Sequence, residues 1–216
     1  KQKEGEPMFE RIPQSLKNLN QWVCVQANSK IPLNAKTGEA ASSTNPETWV
    51  DFETVSSLVK QGAVGNIGFV FNDNGIVGVD IDDGYDKDGF VTPLAADIIN
   101  RCRSYTEKSR SGRGFHIILR GTLPFKGKNN LAGVEIYKSA RYFIMTGDTL
   151  LYREIEENQE AIDYVVEKYF PETRQEKETS VYGGRIYSPI WEMPENNRIK
   201  LRPVYPRIPD GSRNIC

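Results

Sequence analysis

Between residues 51 and 61 the apolar positions Phe52, Val55, Leu58 and Val59 recur at the three-to-four spacing of one helix face. A helix is predicted there, ended by Gly62 and Gly65. A second helix is predicted from Thr92 to about Arg103. A capping hydroxyl precedes Pro93, and Leu94, Ala95, Ile98, Ile99 and Cys102 form its apolar stripe. A third, over 154–170, places Ile155, Ile162, Val165, Val166 and Tyr169 on one side. Elsewhere the pattern is that of short strands: 20–26, 66–71, 75–81, 104–107, 114–119, 133–137 and 141–146. The turn Asn72-Asp73-Asn74-Gly75 predicts a hairpin between the second and third of these, and 133–147 reads as another. This order lacks βαβα alternation, so the fold class predicted is α+β with a largely antiparallel sheet.

The edges of the chain read differently from its middle. Residues 1–17 look like a loose leader, 18–170 like the folded domain, and 171–216 like a Pro-rich tail without apolar periodicity. Within the domain, residues 30–49 are rich in Ala, Asn, Ser, Thr and Pro and are expected to form a long surface segment. Segments of that length inside a domain are often functional or disordered.

Composition narrows the class. Apolar content of 38% and charged content of 26% suit a globular domain. No apolar run approaches the ~20 residues of a membrane span. Cys24, Cys102 and Cys216 fit no zinc spacing, and the odd count argues against a disulfide framework, so a reducing, cytoplasmic setting is expected and zinc is not. The single histidine, His116, rules out a His-based metal cluster. Net charge is −1, but its distribution is uneven. Six Asp lie within 72–88, and eight Lys or Arg lie within 101–128 beside one acid, Glu107. Adjacent acidic and basic blocks suit metals beside phosphates, or are two solvated faces.

Three stretches can carry chemistry. In G-I-V-G-V-D-I-D-D-G, residues 75–84, Asp80 and Asp82 fall on one face of a strand while Val77, Val79 and Ile81 fall on the other. Paired carboxylates repel unless a proton or cation lies between them, and hard divalent cations take such oxygen ligands. The plainer alternative is an acidic strand end entering a turn. In S-R-S-G-R-G-F-H, residues 109–116, Gly112 and Gly114 permit an anion-binding nest of backbone amides. Ser109, Ser111, Arg110 and Arg113 add hydroxyls and charge, and His116 can donate to a phosphate oxygen. The alternative is a flexible turn before a strand with a solvent-facing His. In G-V-E-I-Y-K-S-A-R-Y-F-I-M-T-G, residues 133–147, Glu135 is a carboxylate on an apolar strand, costly unless paired, and a shared metal would pair it. Arg141 can fork onto phosphate. Tyr142 either stacks on a base or sugar or fills the sheet.

D-I-D at 80–82, S-G-R-G-F-H at 111–116 and E-I-Y at 135–137 together resemble the three ordered motifs of the archaeo-eukaryotic primase superfamily. More narrowly, the chain resembles the primase-polymerase (prim-pol) domain of phage and mobile-element replication proteins. Trp22, K-I-P-L-N at 30–34, T-G-E-A-A-S-S-T-N-P-E-T-W at 37–49 and R-Y-F-I-M-T-G at 141–147 fit that group. The resemblance implies an RRM-like antiparallel catalytic sheet beside an N-terminal α/β unit. It implies that Asp80, Asp82 and Glu135 bind two Mg²⁺ or Mn²⁺ ions. Ser109, Ser111, His116, Arg141, Tyr142 and Lys30 would hold the incoming dNTP or NTP, and Arg110, Arg113, Lys126 and Lys128 the single-stranded DNA template and primer. It also implies that R-I-P-D-G-S-R-N-I-C at the end opens a further helical domain, often ahead of a helicase, in a phage-infected or bacterial host. The rival from another class is a non-catalytic single-strand-binding module on the same fold, stacking bases on sheet aromatics. A transferase with an unrelated D-x-D is the third reading.

Overall fold

The structure, a computed structural model, describes residues 9–171. The elements are α1 (Gln14–Lys17), β1 (Trp22–Val25), β2 (Pro32–Leu33), α2 (Phe52–Lys60), β3 (Asn66–Asn72), β4 (Ile76–Ile81), α3 (Pro93–Cys102), β5 (Thr106–Lys108), β6 (Phe115–Arg120), β7 (Gly127–Asn129), β8 (Val134–Tyr137), β9 (Ser139–Met145), β10 (Thr149–Leu151) and α4 (Gln159–Tyr169). The strands form two antiparallel sheets, a smaller one in the order β2-β1-β3-β9 and a larger one in the order β10-β5-β6-β4-β8-β7. The fold is α+β, as the pattern predicts.

Local signals account for the helices. The Asp51 carboxylate accepts the Thr54 N–H at 2.8 Å and starts α2. Thr92 caps α3 through the Ala95 N–H, with Pro93 at its first position. The last helix is shorter than its apolar pattern suggests, starting at Gln159 behind the Asn158 cap. Residues 154–158 are spent elsewhere: Arg120 donates to the Glu156 carbonyl and Asn158 to the Arg120 carbonyl, extending the end of β6. The Asn158 amide also donates to the carbonyls of Arg101 and Cys102, tying the start of α4 to the end of α3.

Each sheet has two apolar faces, which is why its strands read as near-continuous apolar runs. On one face of the larger sheet Val77, Val79, Ile81, Phe115, Ile117, Leu119, Val134 and Ile136 pack beneath α3 and α4. On the other face Ile76, Tyr105 and Ile118 meet Phe69, Phe71, Phe143 and Met145 of the smaller sheet. Burying each such side chain contributes about 1.5–3 kcal/mol. Gly78 sets the closest approach between the sheets: a Cβ there would lie 2.3 Å from the Phe71 ring and 2.6 Å from the Phe143 ring.

Both predicted hairpins are overturned. The turn at 72–75 reverses the chain, but β3 pairs with β9 in the smaller sheet and β4 with β8 in the larger one. Likewise β8 and β9, joined through Lys138, belong to different sheets. The two connections run side by side: the Asp73 N–H donates to the Lys138 carbonyl at 2.7 Å, and Lys138 Nζ lies 3.0 Å from Asp73 Oδ1. Strands buried on both faces need layers on both sides, which a flat hairpin does not supply. The leader expected over 1–17 also differs where it is described, because Phe9, Ile12 and Leu16 are buried against Trp22 and Phe69. The tail expected over 171–216 lies outside the described residues apart from Pro171.

Candidate active site

Asp80 stands next to the end of β4, in register with His116 of β6 on one side and Glu135 of β8 on the other. Residues opposite one another in an antiparallel pair point to the same face. His116, Asp80 and Glu135 therefore form a row across the larger sheet, on the face turned from α3 and α4. Asp82 lies one residue beyond β4, yet its N–H still reaches the Gly133 carbonyl at 2.8 Å, which extends the pairing. A cavity of about 390 Å³ opens over this row. Asp80, Asp82, Ser109, Ser111, His116, Arg141, Tyr142, Lys30 and Arg110 all line it. Residues up to 112 positions apart in the chain thus share one wall, and the Tyr142 hydroxyl donates to the Lys30 carbonyl.

Burial holds the Asp80 carboxyl above its ordinary pKa; Asp82 and Glu135 push it further up, while His116 and Arg141 pull it down. A buried carboxylate whose charge is opposed by neighbouring carboxylates, with a second one beside it, is a donor set that suits a divalent cation. Glu135 stands apart from the other two. Its Oε2 accepts from Arg141 Nη2 at 2.6 Å, and the Arg141 guanidinium lies 4.9 Å from the Tyr137 ring. Arg141 reaches across from β9 of the smaller sheet to do this. Among the described residues no three His, Cys, Asp or Glu side chains converge closely enough to enclose a metal ion. The expected triad is thus two carboxylates at the cavity and a third paired with an arginine.

The 109–114 loop differs from the expected nest. The Gly112 N–H goes to the Ser109 carbonyl at 2.9 Å, the Arg113 N–H to Ser111 Oγ at 3.3 Å and the Gly114 N–H to Ser109 Oγ at 3.2 Å. These three amides are committed inside the loop, and the side-chain groups it offers a ligand are the paired Ser109 and Ser111 hydroxyls and the Arg110 guanidinium. Gly114 is needed for a different reason than the one expected. A Cβ there would lie 2.2 Å from the Ile81 carbonyl oxygen, where the loop crosses the end of β4.

His116 is almost fully buried rather than solvent-facing. Its ring stacks on Phe143 with centroids 4.7 Å apart, Nδ1 lies 3.1 Å from Glu107 Oε1, and Nε2 lies 3.7 Å from Asp80 Oδ1. Burial opposes its charged form, but the Glu107 bond and the Asp80, Glu107 and Asp82 charges outweigh that and raise its pKa. Glu107 was legible in the sequence only as the lone acid of a basic stretch. The signal that would have found it is the one used for Glu135, a carboxylate on a buried strand.

The remaining basic residues do not gather into one patch. Arg113 pairs with Asp83 at 3.5 Å on the surface, and Arg110 Nη1 donates to the Ser29 carbonyl at 2.7 Å. Lys126 precedes and Lys128 sits on β7, separated from β6 by two strands. Lys128 is in register with Ile136, which faces α3 and α4, so of these four basic residues only Arg110 lines the cavity.

No family model matches the chain. Over 153 residues it is 36% identical to a protein of Nitratiruptor phage NrS-1 described as a DNA primase-polymerase. The match supports a prim-pol domain. It takes in 65% of this chain and 21% of the relative, so the chain spans about a fifth of that protein's length. The two-sheet α+β architecture is consistent with the prim-pol fold. Among the described residues no helix is long and apolar enough to cross a membrane.

Proposed function

We propose that this domain is the catalytic domain of a DNA primase-polymerase. It would transfer nucleotides from dNTPs or NTPs to a 3′-hydroxyl on a single-stranded DNA template, in the replication of a phage or mobile element. One observation carries the reading: a single cavity gathers an acidic pair with cations and hydroxyls drawn from three separate parts of the chain. Similarity to the phage primase-polymerase supports it.

Asp80, Asp82 and Glu135 would hold Mg²⁺ or Mn²⁺. Such ions, when bound, acidify the attacking hydroxyl and neutralise charge on the leaving pyrophosphate. The protein's own groups do the rest. Arg141 and Lys30 neutralise the triphosphate, and the Ser109 and Ser111 hydroxyls and His116 Nε2 meet its oxygens. Arg141 and Glu135 neutralise each other in the free protein, so both become available when substrate separates them. Tyr142 lies at the cavity wall beside the sugar or base. Arg110, Arg113, Lys126 and Lys128 contact the DNA backbone, with an affinity that falls as salt rises.

The test is incorporation of labelled dNTPs and NTPs on single-stranded DNA, primed and unprimed, in Mg²⁺ or Mn²⁺. Wild type is expected to give metal-dependent product, and Asp82→Asn none while its circular dichroism stays unchanged. Extension by Asp82→Asn at the wild-type rate would sink the metal assignment. Absence of product from wild type, with single-strand binding intact, would favour the binding-module reading.

A further inference from the structure

Glu107 is fully buried, and the proposed chemistry makes no direct use of it. Four donors converge on its carboxylate. The Tyr105 hydroxyl reaches Oε2 at 2.7 Å and the Gly147 N–H reaches Oε2 at 2.8 Å. The Thr146 N–H lies between both oxygens, at 3.1 and 3.2 Å. The fourth is His116 Nδ1, at 3.1 Å from Oε1. An ionised carboxylate only accepts, so this environment places a proton on Nδ1 and turns Nε2 towards Asp80 and the cavity.

Packing alone does not account for a carboxylate here. Burying a charge costs several kcal/mol, and an apolar side chain of similar volume often serves stability equally well. What an apolar residue cannot do is hold an imidazole in one orientation. Glu107 also holds the backbone just past β9, the strand whose Phe143 stacks on the same ring. The imidazole is thus fixed by its edge from β5 and by its face from β9.

We propose that Glu107 is a positioning residue that holds His116 with Nδ1–H turned inward, so that Nε2 faces the triphosphate of the incoming nucleotide and donates to it when that nitrogen also carries a proton. The inference rests on the functional reading given above, but its geometry can be tested separately. His116 is the only histidine of the 216 residues, so long-range ¹H–¹⁵N spectra of the imidazole report on it alone. The wild-type chain is expected to carry a proton on Nδ1; a proton on Nε2 alone would overturn the proposal, whether or not any variant folds.

The companion experiment is Glu107→Gln, which keeps the shape but offers one acceptor oxygen and points an NH₂ group at neighbouring donors. Binding of dATP with Mg²⁺ is expected to weaken about 10-fold, the lower end of what losing an orienting partner costs. Affinity for a single-stranded oligonucleotide should stay at the wild-type value. Unchanged dATP binding, or equal losses for dATP and oligonucleotide, would overturn the positioning role. If the wild-type chain binds no dATP at all, the functional reading fails, and the imidazole spectrum still decides the orientation.

Discussion

At His116 a buried imidazole lies between two carboxylates, Glu107 behind it and Asp80 in front. Removing the ring should therefore act on triphosphate and not on DNA. His116→Ala is expected to raise the KM for dNTP far more than the Kd for single-stranded DNA; equal losses would mark a structural histidine. The Tyr105 hydroxyl supports the same dyad from inside the core. Tyr105→Phe removes one hydrogen bond to a charged acceptor and is expected to cost about 1.5–3 kcal/mol, read from chemical denaturation. The two described cysteines have no such task. Burial pushes the Cys24 thiol up to about 11 and the Cys102 thiol up to about 12, the latter with help from Asp97. In a Cys216→Ser variant, which removes the one cysteine outside the described residues, no thiol should react with Ellman's reagent until the protein unfolds.

At the scale of elements, caps and turns were legible because their physics is local. The Thr92 cap of α3 shows this, and the Asp51 cap of α2, found in the structure, yields a pH prediction. The Thr54 N–H, and then the Thr54 hydroxyl, hold the Asp51 carboxyl below its ordinary value. A folded-state value below the unfolded one means the cap stabilises above the ordinary carboxylate range and stops doing so as pH falls through the folded value. Asp51→Ala should cost about 1 kcal/mol at neutral pH. The gap between wild type and variant, followed by thermal melts, should narrow below about pH 4. Pairing was not legible in the same way. The turn before β4 was correctly read as a turn, yet β3 pairs with β1 and β9, and β4 with β6 and β8. A turn signal reports a change of chain direction and carries no information about which layer each arm joins.

For the whole molecule, the decisive contact is between the two sheets. Gly78 lies beneath Phe71 and Phe143, and Phe143 in turn stacks on His116. Gly78→Ala is expected to destabilise by about 1–3 kcal/mol, as overpacking does, and to weaken dNTP binding because Phe143 moves with the ring it supports. An unchanged melting temperature would mean that the sheets separate freely. The cavity exists because this contact brings β9 over the acidic row, so Arg141 reaches Glu135 from the opposite sheet.

The sequence alone determined the starts of α2 and α3, the apolar faces beneath α3 and α4, the α+β class, and the one-face placement of Asp80 and Asp82. Each of these follows from spacing of a few residues along the chain. Tertiary structure alone decided that β8 and β9 part into different sheets. It decided that Lys30 and Tyr142 meet, that the amides of Gly112, Arg113 and Gly114 are already used, and that Glu107 lies behind His116. Those outcomes depend on which distant strand takes up each backbone edge and which layer covers each face. That choice is made by the burial of the whole chain at once, and no short stretch of residues encodes it.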